Sequence, residues 1–126
     1  MTRRILLMAF GTMLFAPALL AQESADPVSG KWGRNGLPYL EMIYDGKTGV
    51  SGTVVWRDPS GSYEERAPIK TGTFDRKTNT LALEGEAKNP DGVVVAYRIE
   101  GKIDKQTVTG TFKFGERTGE FAFTKM

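Results

Sequence analysis

The sequence predicts an all-β chain, a single antiparallel up-and-down meander barrel of about eight strands, with a two-sheet β-sandwich as the alternative. Three observations predict it. From Lys31 onward apolar and polar residues alternate, the period-two signature of a half-buried antiparallel strand. Turn-forming residues break that alternation at short intervals. No stretch carries apolar residues at helical spacing over three turns. A chain of 126 residues suffices for one small domain. Its 25% charged and 40% hydrophobic residues suit a globular fold rather than disorder.

Strands are expected near residues 31–35, 38–45, 49–57, 63–70, 71–75, 79–87, 93–104, 107–114 and 117–125. The fourth and fifth can be one strand bent at Gly72. In the third, Val50, Gly52, Val54 and Trp56 alternate with Ser51, Thr53, Val55 and Arg57. In the sixth, Leu81, Leu83 and Gly85 alternate with Ala82, Glu84 and Glu86. The seventh carries Val93, Val95, Tyr97, Ile99, Gly101 and Ile103 on one face, with Arg98, Glu100 and Lys102 on the other. The eighth sets Val108, Gly110, Phe112 and Phe114 against Thr109, Thr111 and Lys113.

The turns agree with these limits. Asn89-Pro90-Asp91-Gly92 and Asp58-Pro59-Ser60-Gly61 place Pro and Gly where tight turns need them. Asp45, Asp75 and Asp104 each precede a Thr by three residues, at Thr48, Thr78 and Thr107. A short carboxylate that accepts from the amide two residues on would hold each of these turns. Each offers too few oxygens for a calcium site of about six to eight ligands. All connections are short, so sequence neighbours become spatial neighbours. Rolling such a sheet into a barrel hides its apolar face and removes its edges. A sandwich needs longer crossing connections.

The N-terminus reads as an export signal. Arg3 and Arg4 precede an uncharged apolar run from Ile5 to Leu20, followed by Ala21 and the polar Gln22-Glu23-Ser24. A basic segment, an apolar core and a small residue at the cut make a secretory signal peptide over residues 1–21. The run is shorter than the roughly 20 residues of a membrane span and holds Pro17. Residues 22–29 are small and polar, and are expected to form a flexible leader before the barrel domain of 30–126. The predicted destination is the periplasm or the medium of a bacterium. Loss of Arg3 and Arg4 leaves basic and acidic residues in balance, which gives no general attraction to nucleic acid. No second apolar run follows, so the processed chain is not expected to sit in a membrane.

Composition excludes much chemistry. There is no Cys and no His, so thiol and Ser-His-Asp catalysis, disulfides and the commonest metal ligands are absent. The adjacent acids Glu64 and Glu65 would point to opposite faces of a strand. No phosphate loop or nucleotide fingerprint is present. The expectation is a non-enzymatic protein without cofactor, metal or catalytic residues. An outer-membrane barrel is set aside because the outward rows carry Glu84, Glu86, Arg98, Glu100, Lys102 and Lys113.

Gly30-Lys31-Trp32 at the first strand resembles the Gly-x-Trp that opens the calycins, the lipocalin and avidin barrels. The layout through Val50-Ser51-Gly52-Thr53 is similar to the first avidin hairpin. The resemblance implies a barrel whose Trp32 plugs one end beneath a basic side chain of the last strand, Arg117 or Lys125. Arg34 stands where avidins carry an Asn, and Val54 where they carry a biotin-contacting Tyr. This speaks against biotin.

The inward rows are rich in aromatics. Tyr44, Trp56, Tyr97 and Phe112 are the candidate ligand-binding residues, because an apolar body with a polar tip suits an apolar molecule bearing one polar group. The leading expectation is a small, mainly apolar ligand in the lumen. The competing one is a filled barrel acting through outer loops such as 58–66, with Tyr63 exposed. Export from a bacterial host should yield a chain beginning at Gln22. An intact mass that retains Arg3 and Arg4 would contradict the assignment of the leader.

Overall fold

The structure, a computed structural model, describes residues 26–126. The expected signal peptide and residues 22–25 of the leader lie outside the described residues. Alternation of apolar and polar side chains produces nine strands: β1 (Gly30–Arg34), β2 (Leu37–Tyr44), β3 (Val50–Arg57), β4 (Glu64–Pro68), β5 (Thr71–Asp75), β6 (Thr80–Lys88), β7 (Val94–Asp104), β8 (Thr107–Phe114) and β9 (Arg117–Lys125). They form one antiparallel sheet in the order β4-β3-β2-β1-β9-β8-β7-β6-β5. First and last strands pair, Trp32 opposite Lys125 and Gly33 opposite Thr124. The all-β meander is therefore present, in one sheet rather than a sandwich.

The expectation of a closed barrel needs correction. The two edge strands, β4 and β5, are consecutive in the chain and share no ladder. They are two halves of one bent strand, and the bend falls at Ile69-Lys70 rather than Gly72. The Ile69 N–H donates to the Gly52 carbonyl (2.9 Å) and the Lys70 N–H to the Glu84 carbonyl (2.9 Å). Inward parity switches there. Glu65 and Ala67 face the inward Trp56 and Val54 of β3, whereas Gly72 and Phe74 face the inward Leu83 and Leu81 of β6. One extra residue at the bend thus transfers the chain from one neighbour to the other.

A seam remains beside the bend, between β4 and the end of β6. Side chains close it where a ladder does not. The Tyr97 hydroxyl donates to the Pro68 carbonyl (2.8 Å), the Tyr63 hydroxyl to the Lys88 carbonyl, and the Lys88 N–H to Glu65 Oε2 (3.5 Å). Room for the Tyr97 ring comes from Gly85 opposite it on β6, where a Cβ would lie 2.5 Å from the Tyr97 oxygen.

Turns fix the two ends. Asp45 Oδ1 accepts from the amides of Lys47 (2.7 Å), Thr48 and Gly49, and Asp75 Oδ1 from Lys77 (2.8 Å). Backbone donation, led by Lys47, holds the Asp45 carboxyl below its ordinary range. The third turn differs: the Thr107 hydroxyl donates to the Asp104 carbonyl (3.0 Å), with Lys105 at φ 58°. These three turns cap one end of the roll. At the other end lie the β1–β2 turn at Asn35-Gly36, the β3–β4 and β6–β7 loops, and the β8–β9 turn.

The first end is sealed. Val28 and Trp32 are fully buried, and the Trp32 Nε1–H donates to the Val28 carbonyl (2.8 Å). Asp26 Oδ1 accepts from the amides of Val28 (3.2 Å) and Ser29 (3.0 Å). Residues 26–29 are thus part of the packed fold, a departure from the flexible leader expected of small polar residues. The Lys125 ammonium lies 5.5 Å from the Trp32 ring centroid, within cation–π range. Leu40, Met42, Val50, Phe74, Leu81, Leu83, Ile103 and Val108 complete a buried core, and among the described residues no polar or charged residue is buried. Trp32→Phe should cost about 2–4 kcal/mol, from lost volume and the lost bond to Val28. Urea unfolding measures it; a change below about 0.5 kcal/mol would deny Trp32 its role as the plug.

Candidate functional site

Aromatic residues on β3, β7 and β8 meet in the half of the roll nearer the unsealed end. The Trp56 ring stacks on Phe114 (centroids 4.6 Å, interplanar 6°) and meets Tyr97 (5.4 Å) and Phe112 (5.6 Å) edge-on. Such pairs contribute about 0.5–1.5 kcal/mol each beyond their buried area. Phe112 lies over Gly119 of β9, its cross-strand partner, where a Cβ would come within 2.7 Å of the ring. Two glycines, Gly85 and Gly119, therefore make space for two of the four rings.

The next step around the wall depends on a bulge. Trp32 pairs with Leu40 and Gly33 with Pro38, so Tyr39 has no opposite residue. A bulge of this kind re-aims the extra side chain. The Tyr39 ring stacks on Phe123 (4.8 Å, 13°), and Phe123 stacks on Phe121 (5.0 Å). The bulge also ends the β2–β3 ladder at Leu40–Val54. Arg57 spans the break. Its Nη1–H donates to the Pro38 carbonyl (2.5 Å), its Nε pairs with Glu64 (3.2 Å), and its guanidinium carbon sits 4.9 Å from the Tyr39 centroid.

These walls enclose a cavity of about 280 Å³. Leu40, Val54, Trp56, Ile99, Phe112, Phe121 and Phe123 give it apolar walls. Arg34, Arg57, Arg117 and Glu120 supply charge, and Tyr39 and Pro59 also contribute. The volume is at the small end of ligand sites, which run from roughly 300 Å³ upward. The Trp56 Nε1 is buried without a hydrogen-bond partner among the described residues. A buried donor left so costs about 1–3 kcal/mol. Other depressions are larger, about 400–510 Å³, but more open to solvent, as on the charged outer face between Arg98, Glu100, Thr111 and Lys113.

The four predicted ligand-binding residues do not meet in one place. Trp56 and Phe112 line the cavity. Tyr44 lies at the sealed end, edge-on to Phe74 (5.5 Å). Its hydroxyl donates to the Lys47 carbonyl (2.8 Å) and accepts from Arg76 Nε (3.0 Å). Tyr97 is only 3% exposed, and its hydroxyl is committed to Pro68 across the seam. The two basic candidates for the Trp32 plug also separate: Lys125 covers Trp32, while Arg117 stands at the opposite end, in the cavity wall.

Tyr63 differs from its expected exposure. It is partly buried against the core, and its hydroxyl reaches across the seam. The exposed apolar residues at this end include Val93 and Val94, each 56% exposed; Val93 had been expected on the inward row. Glu65 is an acid on the inward row, opposite Trp56, which its alternation with Ala67 and Ile69 would have shown. Tyr39 and Arg34 were missed because period-two reading has no place for a bulge.

Burial pushes the Tyr97 hydroxyl up to about 12, whereas an unfolded tyrosine ionises near 10. The folded state thus keeps a proton that the unfolded chain loses, so this contribution to stability is intact below pH ~10 and is lost as pH rises toward about 12. Tyr97→Phe should lower stability by about 1 kcal/mol at neutral pH. Between pH ~10 and ~12 the parent should then lose stability faster than the variant; urea midpoints falling in parallel would exclude Tyr97 as the titrating group. Comparison of the chain with family models, with curated proteins and with solved structures returned no match.

Proposed function

We propose that the protein is an exported, non-enzymatic binder of a small, mainly apolar molecule, held in the cavity at the unsealed end of the roll. The observation that carries this reading is the unpartnered Trp56 indole N–H in the wall of an aromatic-lined cavity. Apolar walls with a few polar groups are the usual makeup of a small-molecule site. A ligand with one acceptor atom would gain from the walls and relieve the buried donor. The sealed half is filled by side chains, so capacity is limited to the cavity. At roughly 30 Å³ per water-sized group, the ligand's buried part has about nine non-hydrogen atoms. The ligand-binding residues on this reading are Trp56 and Phe112, joined by Phe121 and Phe123. Tyr44 and Tyr97 hold the scaffold.

Calorimetric titration with octan-1-ol tests the reading. Saturable binding of one molecule per chain is expected. Phe112→Ala should weaken it about tenfold or more, given the apolar area removed. Tyr44→Phe, at the sealed end, should leave it unchanged. Absence of saturable binding up to the solubility of the alcohol, or equal effects of the two substitutions, would refute the cavity as the site.

A further inference from the structure

The cavity is apolar inside, but its charged side chains are mostly of one sign. Arg34, Arg57 and Arg117 contribute to it, against Glu120 alone. Arg57 is already engaged by Glu64 and the Pro38 carbonyl, and its side chain is only 12% exposed. Arg34 and Arg117 are exposed and have no ion pair within 4.0 Å among the described residues.

Two of these cations converge. The guanidinium carbons of Arg34 and Arg57 lie 5.8 Å and 4.9 Å from the centroid of the same Tyr39 ring. The quadrupole of that ring attracts each cation, while the two repel one another. Glu64 neutralises one of them. Arg117, the first residue of β9, comes to the same cavity in register with Phe114 of β8. Glu120 belongs to the outward row of β9, opposite Thr111. Glu65, the acid of the inward row, accepts from the Lys88 N–H at the seam and does not line the cavity. An apolar interior beside two guanidinium groups without an ion pair among the described residues thus matches an amphiphile with an anionic head. A guanidinium is also the side chain best shaped for a carboxylate, which it can bind through two parallel N–H donors.

We propose that the ligand is a short amphiphilic carboxylate, its apolar chain among Trp56, Phe112, Phe121 and Phe123 and its carboxylate held by Arg34 and Arg117. This rests on the cavity being the binding site, and adds the ligand's charge. Binding forms no covalent bond. Arg57 is a positioning residue: it joins the frayed ends of β2 and β3 and holds the Tyr39 ring beside Arg34.

Three probes of equal chain length separate recognition of the anionic head from occupation of the apolar cavity: octanoate, octan-1-ol and octylammonium, titrated calorimetrically into the purified chain at neutral pH. Octanoate should bind about tenfold or more tighter than octan-1-ol, and octylammonium most weakly. The octanoate affinity should fall as salt rises, since the rim charges are exposed and screened; that of octan-1-ol should not. Arg34→Gln with Arg117→Gln should erase the preference for octanoate while leaving octan-1-ol binding intact, which also shows that the variant is folded. Arg117→Lys should restore part of the preference over Arg117→Gln. Equal binding of octanoate and octan-1-ol would overturn the anionic head but leave the apolar site standing. Preference for octylammonium would overturn it in favour of Glu120. Failure of all three to bind would remove the site itself.

Discussion

At Ile69 and Lys70 two consecutive amides donate in opposite directions, one to Gly52 on β3 and the next to Glu84 on β6. The geometry of the roll depends on this pair of bonds. The sheet has one apolar face and no second layer to cover it, so it must curl onto itself. Curling brings β3 and β6 to either side of a single chain segment, and the bend lets that segment serve both. Ladder bonding is lost along the seam as a result. The exposed backbone there is satisfied instead by Tyr63, Glu65 and Tyr97. A buried or half-buried carbonyl without a partner is costly, so these side chains have a structural task that aromatic composition alone does not announce.

Polarity along the roll follows from how its two ends are filled. At the sealed end the chain's own first described residues fold back, and Val28 receives the Trp32 N–H. At the other end hairpins of unequal length leave aromatic rings without a covering segment. The Tyr39 bulge then loosens the β2–β3 pairing where Arg57 must bridge it. Local irregularity and the location of the cavity thus have a common origin: the cavity opens where the ladder is least regular.

Strand positions and the inward rows were legible in the sequence because period two ties side-chain direction to residue number without ambiguity. Trp32, Leu40, Val54, Phe74, Leu83, Ile99 and Phe114 all face inward as the alternation requires. Legibility ended where the count slips. The extra residues at Tyr39 and at the β4–β5 bend shift parity, and nothing in a residue's type signals such a shift. Val28 was hidden by its polar neighbours, since one apolar residue has no periodicity. Tyr44 and Tyr97 looked equivalent to Trp56 for a related reason. Sequence shows that a polar tip exists, but only the fold shows whether a carbonyl already occupies it.

Pairing of β1 with β9 has a consequence for how the molecule comes into being. Gly33 and Thr124 are neighbours across the sheet, so nearly the whole described chain lies between two strands that must meet. Hairpins such as β6–β7–β8 can zip locally, but the seal over Trp32 waits for Lys125 of β9. Closing so long a loop carries a large entropic cost before any contact rewards it. Closure of the roll therefore depends on a contact of long sequence separation among the described residues. Until β9 pairs with β1, the hairpins hold the Trp32 face uncovered, where it is vulnerable to proteolysis and aggregation.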